Sequence, residues 1–234
     1  MFKLPLILLL DREAFWKTLR EHDIGWAKVA SMVVFVIIAC TVYGVVMAGW
    51  RSPKLALFAA TKFPLLFIGS TATVAIFNWM VATIVGSGLS FRETVALTFA
   101  SMTVACWILL ALAPVALFLS LTGVPKVGEA PTAEVQFAYQ LMLMTHVTVL
   151  AIAGVVGNAS LFNGLRAVVR PACPMMALFA AWIALFAIVG CQMSWILRPF
   201  VGNPFTEVAF FRADAFKGNF FEMVFGNLLP NLLF

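Results

Sequence analysis

The sequence predicts an all-α fold: a polytopic membrane helical bundle of about five transmembrane helices, with an amphipathic N-terminal helix and an aromatic-rich C-terminal interfacial segment. Of its 234 residues, 63% are hydrophobic and only 11% are charged, and the mean hydropathy is +1.04. A soluble domain is about half apolar and about a quarter charged, so one aqueous core cannot bury this much apolar surface. The apolar residues form long continuous runs, whereas a transmembrane barrel has short segments of alternating polarity.

Residues 1–28 are predicted to form an N-terminal interfacial segment. The apolar run Leu4–Leu10 imitates a signal peptide, but it contains Pro5 and ends in three charged residues without a small-residue cleavage site, so we expect it to be retained. In the charged stretch that follows, Phe15 and Leu19 recur at helical spacing and predict an amphipathic helix that lies at the membrane surface. A short solvated helix that leads into the first span is the alternative.

Five apolar runs are long enough to cross a bilayer, which takes about 20 residues of helix. The first run lies between Lys28 and Arg51, and the second begins after Lys62, so charges bound both. Pro114 in the third run predicts a kink or a local rearrangement of the backbone hydrogen bonds. The runs form a predicted transmembrane domain over residues 29–197, with spans at 29–50, 63–85, 94–121, 137–165 and 175–197.

Orientation is predicted from the Lys and Arg residues that flank the spans. The 15 basic residues divide almost evenly between the two sides, so the first flank decides. Residues 1–28 carry five of them, and Arg166 and Arg170 after the fourth span lie on the same side. We therefore expect a multi-pass membrane protein, with the N-terminus in the cytoplasm and the C-terminus outside. Accessible tags at Met1 and after Phe234 would test this, because finding both on one side would mean a miscounted span.

Several function classes are disfavoured by the composition and by missing motifs. The net charge of +5 is spread among the span ends, so the predicted partner of the basic residues is the lipid bilayer and not nucleic acid. The four cysteines form no CxxC pair and show no metal-ligand spacing. Paired carboxylates in a predicted pocket and the HExxH, GxSxG, Walker and GxGxxG patterns are also missing. The chain is therefore predicted not to be an enzyme.

His146, near the middle of the fourth span, is the candidate cofactor ligand. A neutral imidazole suits haem, chlorophyll or copper, and Met142 one turn earlier offers a thioether for Cu(I). Companion ligands at helical spacing are missing, so no cofactor is predicted, and haem or chlorophyll is the alternative. The competing interpretation is an interhelical hydrogen bond from the imidazole to an Asn, Gln or Thr side chain or to the backbone.

Among the amide side chains in the spans, three are candidates for a polar role: Asn78 in the second, Asn158 late in the fourth and Gln192 late in the fifth. Amides join helices without carrying charge, so packing is the expected role. With the histidine, they would alternatively line a polar path through the bundle. Ala153 and Gly157 are four residues apart and predict a small-residue stripe that a neighbouring helix approaches closely.

Residues 198–234 are predicted to form a Phe-rich interfacial or docking segment. Arg198, at the end of the fifth span, is expected to reach the lipid headgroups, and the turn that ends at Pro204 follows it. So aromatic a tail is not expected to stay in water, and its spacing predicts an amphipathic helix at the interface or on a partner. An anchor packed against its own bundle is the alternative. The predicted docking residues are Arg198, Phe210, Phe211, Phe216, Phe220 and Phe221.

The stretch Gln192-Met-Ser-Trp-Ile-Leu-Arg-Pro-Phe-Val-Gly202 carries a resemblance. Together with the five-span layout, it resembles a group of uncharacterised bacterial five-span integral membrane proteins, in which a similar Arg-Pro-Phe signature follows the last helix. In topology alone, the chain is also distantly similar to the Yip family of Rab-interacting membrane proteins. These resemblances imply five spans, a cytosolic N-terminus and a C-terminus on the opposite side, and they imply no catalytic residue.

The predicted function is a non-enzymatic integral membrane subunit or scaffold of a bacterial inner-membrane complex. Its expected partners are other membrane protein subunits or a second copy of the chain. A small permease or lipid/solute transporter is the main alternative, and a cofactor-bearing subunit that uses His146 is the second. A scaffold should have a dry interior and an apolar flank for a partner, whereas a transporter should have a water-accessible path lined by Asn78, His146 and Gln192.

Overall fold

The computed structural model describes residues 3–21, 24–122, 132–203, 208–212 and 215–228. Within these ranges the chain is helical and contains no strand, and five helices are long and apolar enough to cross a membrane. The predicted fold class, an all-α polytopic bundle, is thereby confirmed. The helices are α1 (Lys3–Leu10), α2 (Arg12–Arg20), α3 (Trp26–Ala48), α4 (Pro53–Ile84), α5 (Phe91–Thr122), α6 (Ala133–Val168), α7 (Met175–Leu197) and a short α8 (Phe220–Glu222), which continues as a π-helical turn (Met223–Leu228).

The five spanning helices α3 to α7 alternate in direction. On α5 and α6, Ser120 contacts His146 and Leu97 approaches Gly164, so residue numbers rise on one helix as they fall on the other. We call the end at which α3, α5 and α7 begin the near end, and the end at which they finish the far end. Helix α5 packs on α3, α4 and α6, whereas α7 packs mainly on α4. Helix α2 contacts α6 at Gly164, close to the end of α6, so it lies at the near end. The chain leaves α7 at the far end.

Glycines set the closest helix contacts. A Cβ atom added at Gly44 of α3 would lie 2.6 Å from the carbonyl oxygen of Ala59 on α4. One added at Gly157 of α6 would lie 3.0 Å from the Cβ of Ala105 on α5. In lipid, the hydrophobic effect does not drive helices together, so helix association depends on close packing, and small residues let the two backbones approach. The close approach predicted at Ala153 and Gly157 is confirmed, since Ala153 is also buried.

Helix α4 begins ten residues before the second predicted span, which starts at Phe63. Pro53 occupies its first turn, and the Ser52 hydroxyl accepts a hydrogen bond from the Leu55 amide at 3.1 Å, which caps the helix. Lys62, which bounds the predicted span, lies in the third turn and is fully buried. Helix α5 likewise continues unbroken through Pro114, where a kink or a rearrangement of hydrogen bonds is predicted.

The N-terminal segment packs on the bundle. The Asp11 carboxylate accepts from the Ala14 amide at 3.1 Å and caps α2, whose Phe15, Trp16 and Leu19 are buried. Helix α1 runs back along α5 as far as Trp107, whose indole Nε1 donates to the carbonyl oxygen of Pro5 at 2.9 Å. The apolar face predicted for the membrane surface therefore contacts the protein itself.

Candidate functional site

The chain that leaves α7 crosses the far end as an extended segment, residues 198–203, which we call the strap. Side chains from three other parts of the bundle bind its backbone carbonyls, and each donor comes from a residue far away in sequence. The bonds are Lys62 Nζ to Pro199 O (3.2 Å), Trp50 Nε1 to Val201 O (3.2 Å), Tyr139 Oη to Gly202 O (2.6 Å) and Arg51 Nε to Asn203 O (3.2 Å). Because backbone carbonyls are strong acceptors that need partners when buried, these bonds fix the course of the strap.

Lys62, in the third turn of α4, places a positive charge in the interior of the protein. Its side chain is fully buried, and its ammonium lies 4.7 Å from the ring centroid of Phe210 and 5.8 Å from that of Phe211. A desolvated cation over an aromatic face gains about 2 kcal/mol, and the Pro199 carbonyl adds a hydrogen bond to a charged donor. Lys62 thus connects α4 both to the strap and to the Phe-rich segment, defined as the described residues 208–212 and 215–228.

A chain of ring contacts leads from the strap into the bundle. The ring of Phe200 lies 6.2 Å from that of Phe63, and Phe63 lies 5.7 Å from Tyr43. Tyr43 in turn lies 5.8 Å from the imidazole of His146, edge to face. The strap therefore rests on an aromatic stack that ends at the buried histidine.

His146 joins three helices. Its Nδ1 lies 3.1 Å from the hydroxyl of Tyr43 on α3, and its Nε2 lies 3.5 Å from the hydroxyl of Ser120 on α5. The predicted interhelical hydrogen bond is present, although its partners are hydroxyls of Tyr and Ser and not an amide or a Thr. Met142, the predicted thioether ligand, is also buried. Among the described residues no group of three His, Cys, Asp or Glu side chains could hold a metal ion.

The four polar residues of the alternative transport path, Asn78, His146, Asn158 and Gln192, do not form one cluster. His146 and Gln192 lie in the far half, where the Gln192 side-chain oxygen accepts from the Phe220 amide at 3.2 Å. Asn78 lies in the near half, buried, and its backbone carbonyl accepts from Trp182 Nε1 at 3.0 Å. Asn158 is exposed and lines a cavity of 220 Å³ that is bordered by α4, α5, α6 and α7 and includes Phe186.

The predicted docking residues divide into packed and exposed members. Phe210 packs edge to face on Phe58 of α4 at 5.1 Å. Phe211 and Phe216 contact each other at 5.9 Å, yet 42% and 78% of their side chains remain exposed. Phe225, which lies beyond the predicted set, is 63% exposed. Instead of one long amphipathic helix, the described part of the segment contains only α8 and its π-helical turn.

Three further residues of the predicted docking set lie at this end of the molecule. The guanidinium of Arg198 lies 3.2 Å from the ring centroid of Trp195. Phe220 and Phe221 contact each other at 5.5 Å and are half-buried at the start of α8. Pro204 and the terminal Phe234 lie outside the described residues.

Sequence reasoning missed the side chains that hold the strap: Trp50, Arg51, Lys62 and Tyr139. One signal could have found Lys62, because Ser52 followed by Pro53 is a typical helix start. A helix that begins there contains Lys62 in its third turn. No local signal marks Trp50 or Tyr139 as donors to the strap, since both read as ordinary interfacial aromatics.

Comparison with known proteins assigns the chain to no family: no protein-family model matches it, and neither does a curated protein or a solved structure. At the far end, a buried ammonium, bonded carbonyls and aromatic faces can hold segments together and present an apolar surface. His146 makes two hydroxyl–imidazole contacts there, with Tyr43 and with Ser120, and all three side chains are buried.

Proposed function

We propose that this chain is a non-enzymatic integral membrane subunit or scaffold of a bacterial inner-membrane complex, and that the Phe-rich segment receives its partner. The observation that carries the proposal is an ordered segment with exposed aromatic rings. Phe210 is fixed by Phe58 and Lys62, and the Phe220 amide is bonded to Gln192. Between these fixed points Phe216 leaves 78% of its side chain exposed.

Order and exposure together favour docking over anchoring. A surface that is already fixed loses little conformational freedom when it binds, so more of the contact energy appears as affinity. Aromatic residues are enriched at the centres of protein interfaces, where they bury large areas. A loose lipid anchor needs no such fixation.

The interior polar groups of the far half support a structural role. Both ring nitrogens of His146 have hydroxyl partners on neighbouring helices. A nucleophilic serine would need a base, a group that orients the base, and access for substrate. Ser120 and His146 are 3% and 2% exposed, and Tyr43 occupies the position of the orienting group.

Orientation is part of the proposal. The near end carries Arg12, Arg20, Arg166 and Arg170 around the ends of α2 and α6. Basic residues close to span ends are retained on the cytoplasmic side. The near end is then cytoplasmic, and the strap and the Phe-rich segment face the outside of the inner membrane.

Site-specific photo-crosslinking in intact cells tests the docking surface. A crosslinking amino acid at Phe216 is expected to give an adduct of defined mass with one membrane protein or a second copy of the chain. The same amino acid at Phe137 is the matched control, because this α6 residue is also apolar and is 68% exposed. Adducts with lipid alone at both positions would contradict the proposal and leave the segment as an anchor.

A small permease or lipid/solute transporter is a second candidate, favoured by buried polar atoms on α4. Among the described residues, the side-chain oxygens of Ser70, Thr71 and Asn78 have no hydrogen-bond partner. A water-filled path would satisfy them. In a chain without its native cysteines, a charged thiol reagent should then label Ser70→Cys but not Ala39→Cys, which lies in the packed core of α3. No labelling at either position would contradict transport.

A further inference from the structure

Helix α2 meets the last turns of α6 at the near end through one close contact. Trp16 of α2 lies against Gly164 of α6, where an added Cβ atom would be 2.7 Å from the indole ring. Trp16 is 5% exposed. This contact fixes the distance and the relative rotation of the two helices, so the residues that flank it also have fixed positions.

Basic side chains flank the contact on both helices. On α2, Arg12 and Arg20 are each four residues from Trp16, so all three share one face of the helix. On α6, Asn163 and Arg166 lie on either side of Gly164. These residues, with Glu13 and Ala167, line one groove of 440 Å³, which we call the near-end groove.

The near-end groove has an excess of positive charge. Three guanidinium groups face one carboxylate, that of Glu13. Among the described residues the one ion pair is Lys17 with Glu21, so the structure pairs none of the three guanidinium groups with a carboxylate there. Arg12 is held in place by a hydrogen bond from its Nε to the Leu8 carbonyl at 3.2 Å, a bond that does not use its two terminal nitrogens.

Helix α6 is longer than a bilayer is thick, which brings its last turn to the level of the lipid headgroups. Helix α6 has 36 residues and is about 54 Å long, whereas a bilayer with its headgroups is about 40–45 Å thick. Arg166 lies in the last turn of α6, so it is at or beyond headgroup level. On α1, next to Arg12, the apolar side chains of Leu6 and Leu10 are 46% and 74% exposed and offer a surface for acyl chains.

We propose that the near-end groove binds the phosphate headgroup of an anionic phospholipid, with Arg12, Arg20 and Arg166 as its ligands. Guanidinium groups bind phosphate oxygens through paired, charge-assisted hydrogen bonds. Basic pockets beside membrane helices provide this chemistry for anionic lipids. The exposed leucines of α1, the helix that directly precedes Arg12 in the chain, favour a lipid over a free phosphate compound. The site is independent of the docking surface at the far end.

Native mass spectrometry of the full chain in detergent, titrated with phosphatidylglycerol or phosphatidylcholine, tests the site. The unchanged protein should retain phosphatidylglycerol in preference to phosphatidylcholine. Each basic residue near a membrane surface is worth about fivefold in affinity, so Arg20→Gln with Arg166→Gln should weaken phosphatidylglycerol binding by about 25-fold. Arg166→Lys, which keeps the charge, should retain most of the binding.

Lys54→Gln with Lys217→Gln is the matched control, because it removes the same charge from exposed residues of the far end. It should leave binding within twofold of the unchanged protein. Equal losses in the two double variants, or binding within twofold in the Arg variant, would overturn the site. Displacement of phosphatidylglycerol by equimolar inorganic phosphate or glycerol phosphate would overturn the choice of a lipid.

Arg166→Gln alone keeps the site testable if the double variant does not fold, because Arg166 is exposed and its loss leaves the core intact. It should weaken phosphatidylglycerol binding by about fivefold. Binding within twofold of the unchanged protein would overturn the site.

Discussion

The two ends of the bundle differ in the reach of their side-chain hydrogen bonds. Both ends have local helix caps, and at the near end the Arg170 amide also donates to the Ser87 carbonyl at 3.2 Å, but the long-range side-chain bonds to a connecting segment are those of the strap at the far end. At the near end, Ser90 and Glu93 form a capping box at the start of α5: the Glu93 carboxylate accepts from the Ser90 amide at 2.8 Å, and the partners are three residues apart. At the far end, Lys62 and its acceptor Pro199 are 137 residues apart. The first bond forms with its helix, whereas the second exists only after α7 has packed on α4.

This difference separates local from global effects. A substitution that removes a near-end cap should loosen one helix end and leave the rest of the protein folded. A substitution under the strap should report on the packing of several helices together, because donors from α4, α6 and the α3–α4 corner all bind the same six-residue segment. The following substitutions compare the two ends directly.

Gly44→Ala is expected to have the largest effect. The new Cβ atom would lie 2.6 Å from the oxygen and 2.9 Å from the carbon of the Ala59 carbonyl, which are backbone atoms that move only with α4. Helix α4 also carries Lys62, so its displacement disturbs the strap. We expect the free energy of unfolding to fall by about 3 kcal/mol, measured by thermal and denaturant unfolding in detergent.

The near-end counterpart is Gly164→Ala. Its new Cβ atom would meet the indole of Trp16 at 2.7 Å and Cδ2 of Leu97 at 2.8 Å, which are side-chain ends that can shift. We expect the free energy of unfolding to fall by about 1 kcal/mol, and we expect faster amide exchange in α2 alone. Losses of equal size at Gly44 and Gly164 would contradict the distinction between the two ends.

Gly202→Ala tests the strap itself. Gly202 has a φ angle of +79°, and an added Cβ atom would contact the side chain of Leu55. Gly86 at the near end has a φ angle of +71° but has nothing near its Cβ position. A left-handed conformation costs a non-glycine residue about 1–2 kcal/mol. Gly86→Ala should therefore lower the free energy of unfolding by about 1 kcal/mol, and Gly202→Ala should lower it by about 2–3 kcal/mol. Equal melting temperatures for the two variants would show that Leu55 simply moves aside.

His146→Ala probes the layer beneath the strap. It leaves the Tyr43 and Ser120 hydroxyls without their imidazole partner, and the expected loss is about 2 kcal/mol. In a double-mutant cycle with Tyr43→Phe, the two losses should be less than additive, since they remove one shared bond. The absorption spectrum of the purified protein should stay unchanged. A Soret or chlorophyll band that disappears in His146→Ala would instead identify a cofactor ligand.

Tyr139→Phe and Ser90→Ala are expected to lower the free energy of unfolding by similar, smaller amounts. They should differ in which amides exchange faster. Each removes hydrogen bonds of one side chain and should lower the free energy of unfolding by about 1 kcal/mol. Hydrogen exchange separates them: Tyr139→Phe should expose the amides of the strap, whereas Ser90→Ala should affect only the first turn of α5. Faster exchange of the strap in Ser90→Ala would show that the two ends are coupled.

The smallest expected effect is on the alkylation rate of Cys173, which lies in the near-end connection between α6 and α7. Burial raises the pKa of its thiol above the usual range, because the charged thiolate is poorly solvated there. Less thiolate is present at pH 8, so alkylation of the folded protein should be at least about tenfold slower than in the SDS-unfolded chain. The rate should keep rising with pH above the usual thiol pKa. Equal rates at pH 8 would mean that this connection opens freely.

Much of the fold follows from features that can be read along the chain. Long uncharged runs require helices in lipid, because each helix satisfies its own backbone hydrogen bonds. The paired small residues Ala153 and Gly157 predict a close helix contact, and that contact is with Ala105. The sequence marks Lys62 as the boundary of the second predicted span, whereas the helix that contains this span already begins at Pro53.

The candidate site could be predicted only in part. The sequence marks His146 as a buried polar residue with an interhelical partner, and it has two. The Phe-rich segment is also recognisable, since so many aromatic residues require burial. Its conformation is not, because contacts with Phe58 and Lys62 on α4 override the helical spacing of its phenylalanines.

The sequence by itself determined the membrane class, the number of spans and the helix caps, all of which depend on residues within a few positions of one another or on the length of an apolar run. Only the tertiary structure decided that Lys62 is an interior residue and that residues 198–203 form a strap. The reason is physical. A buried ammonium and a run of carbonyls are each costly alone, and they become stable only when helices distant in the sequence bring them together.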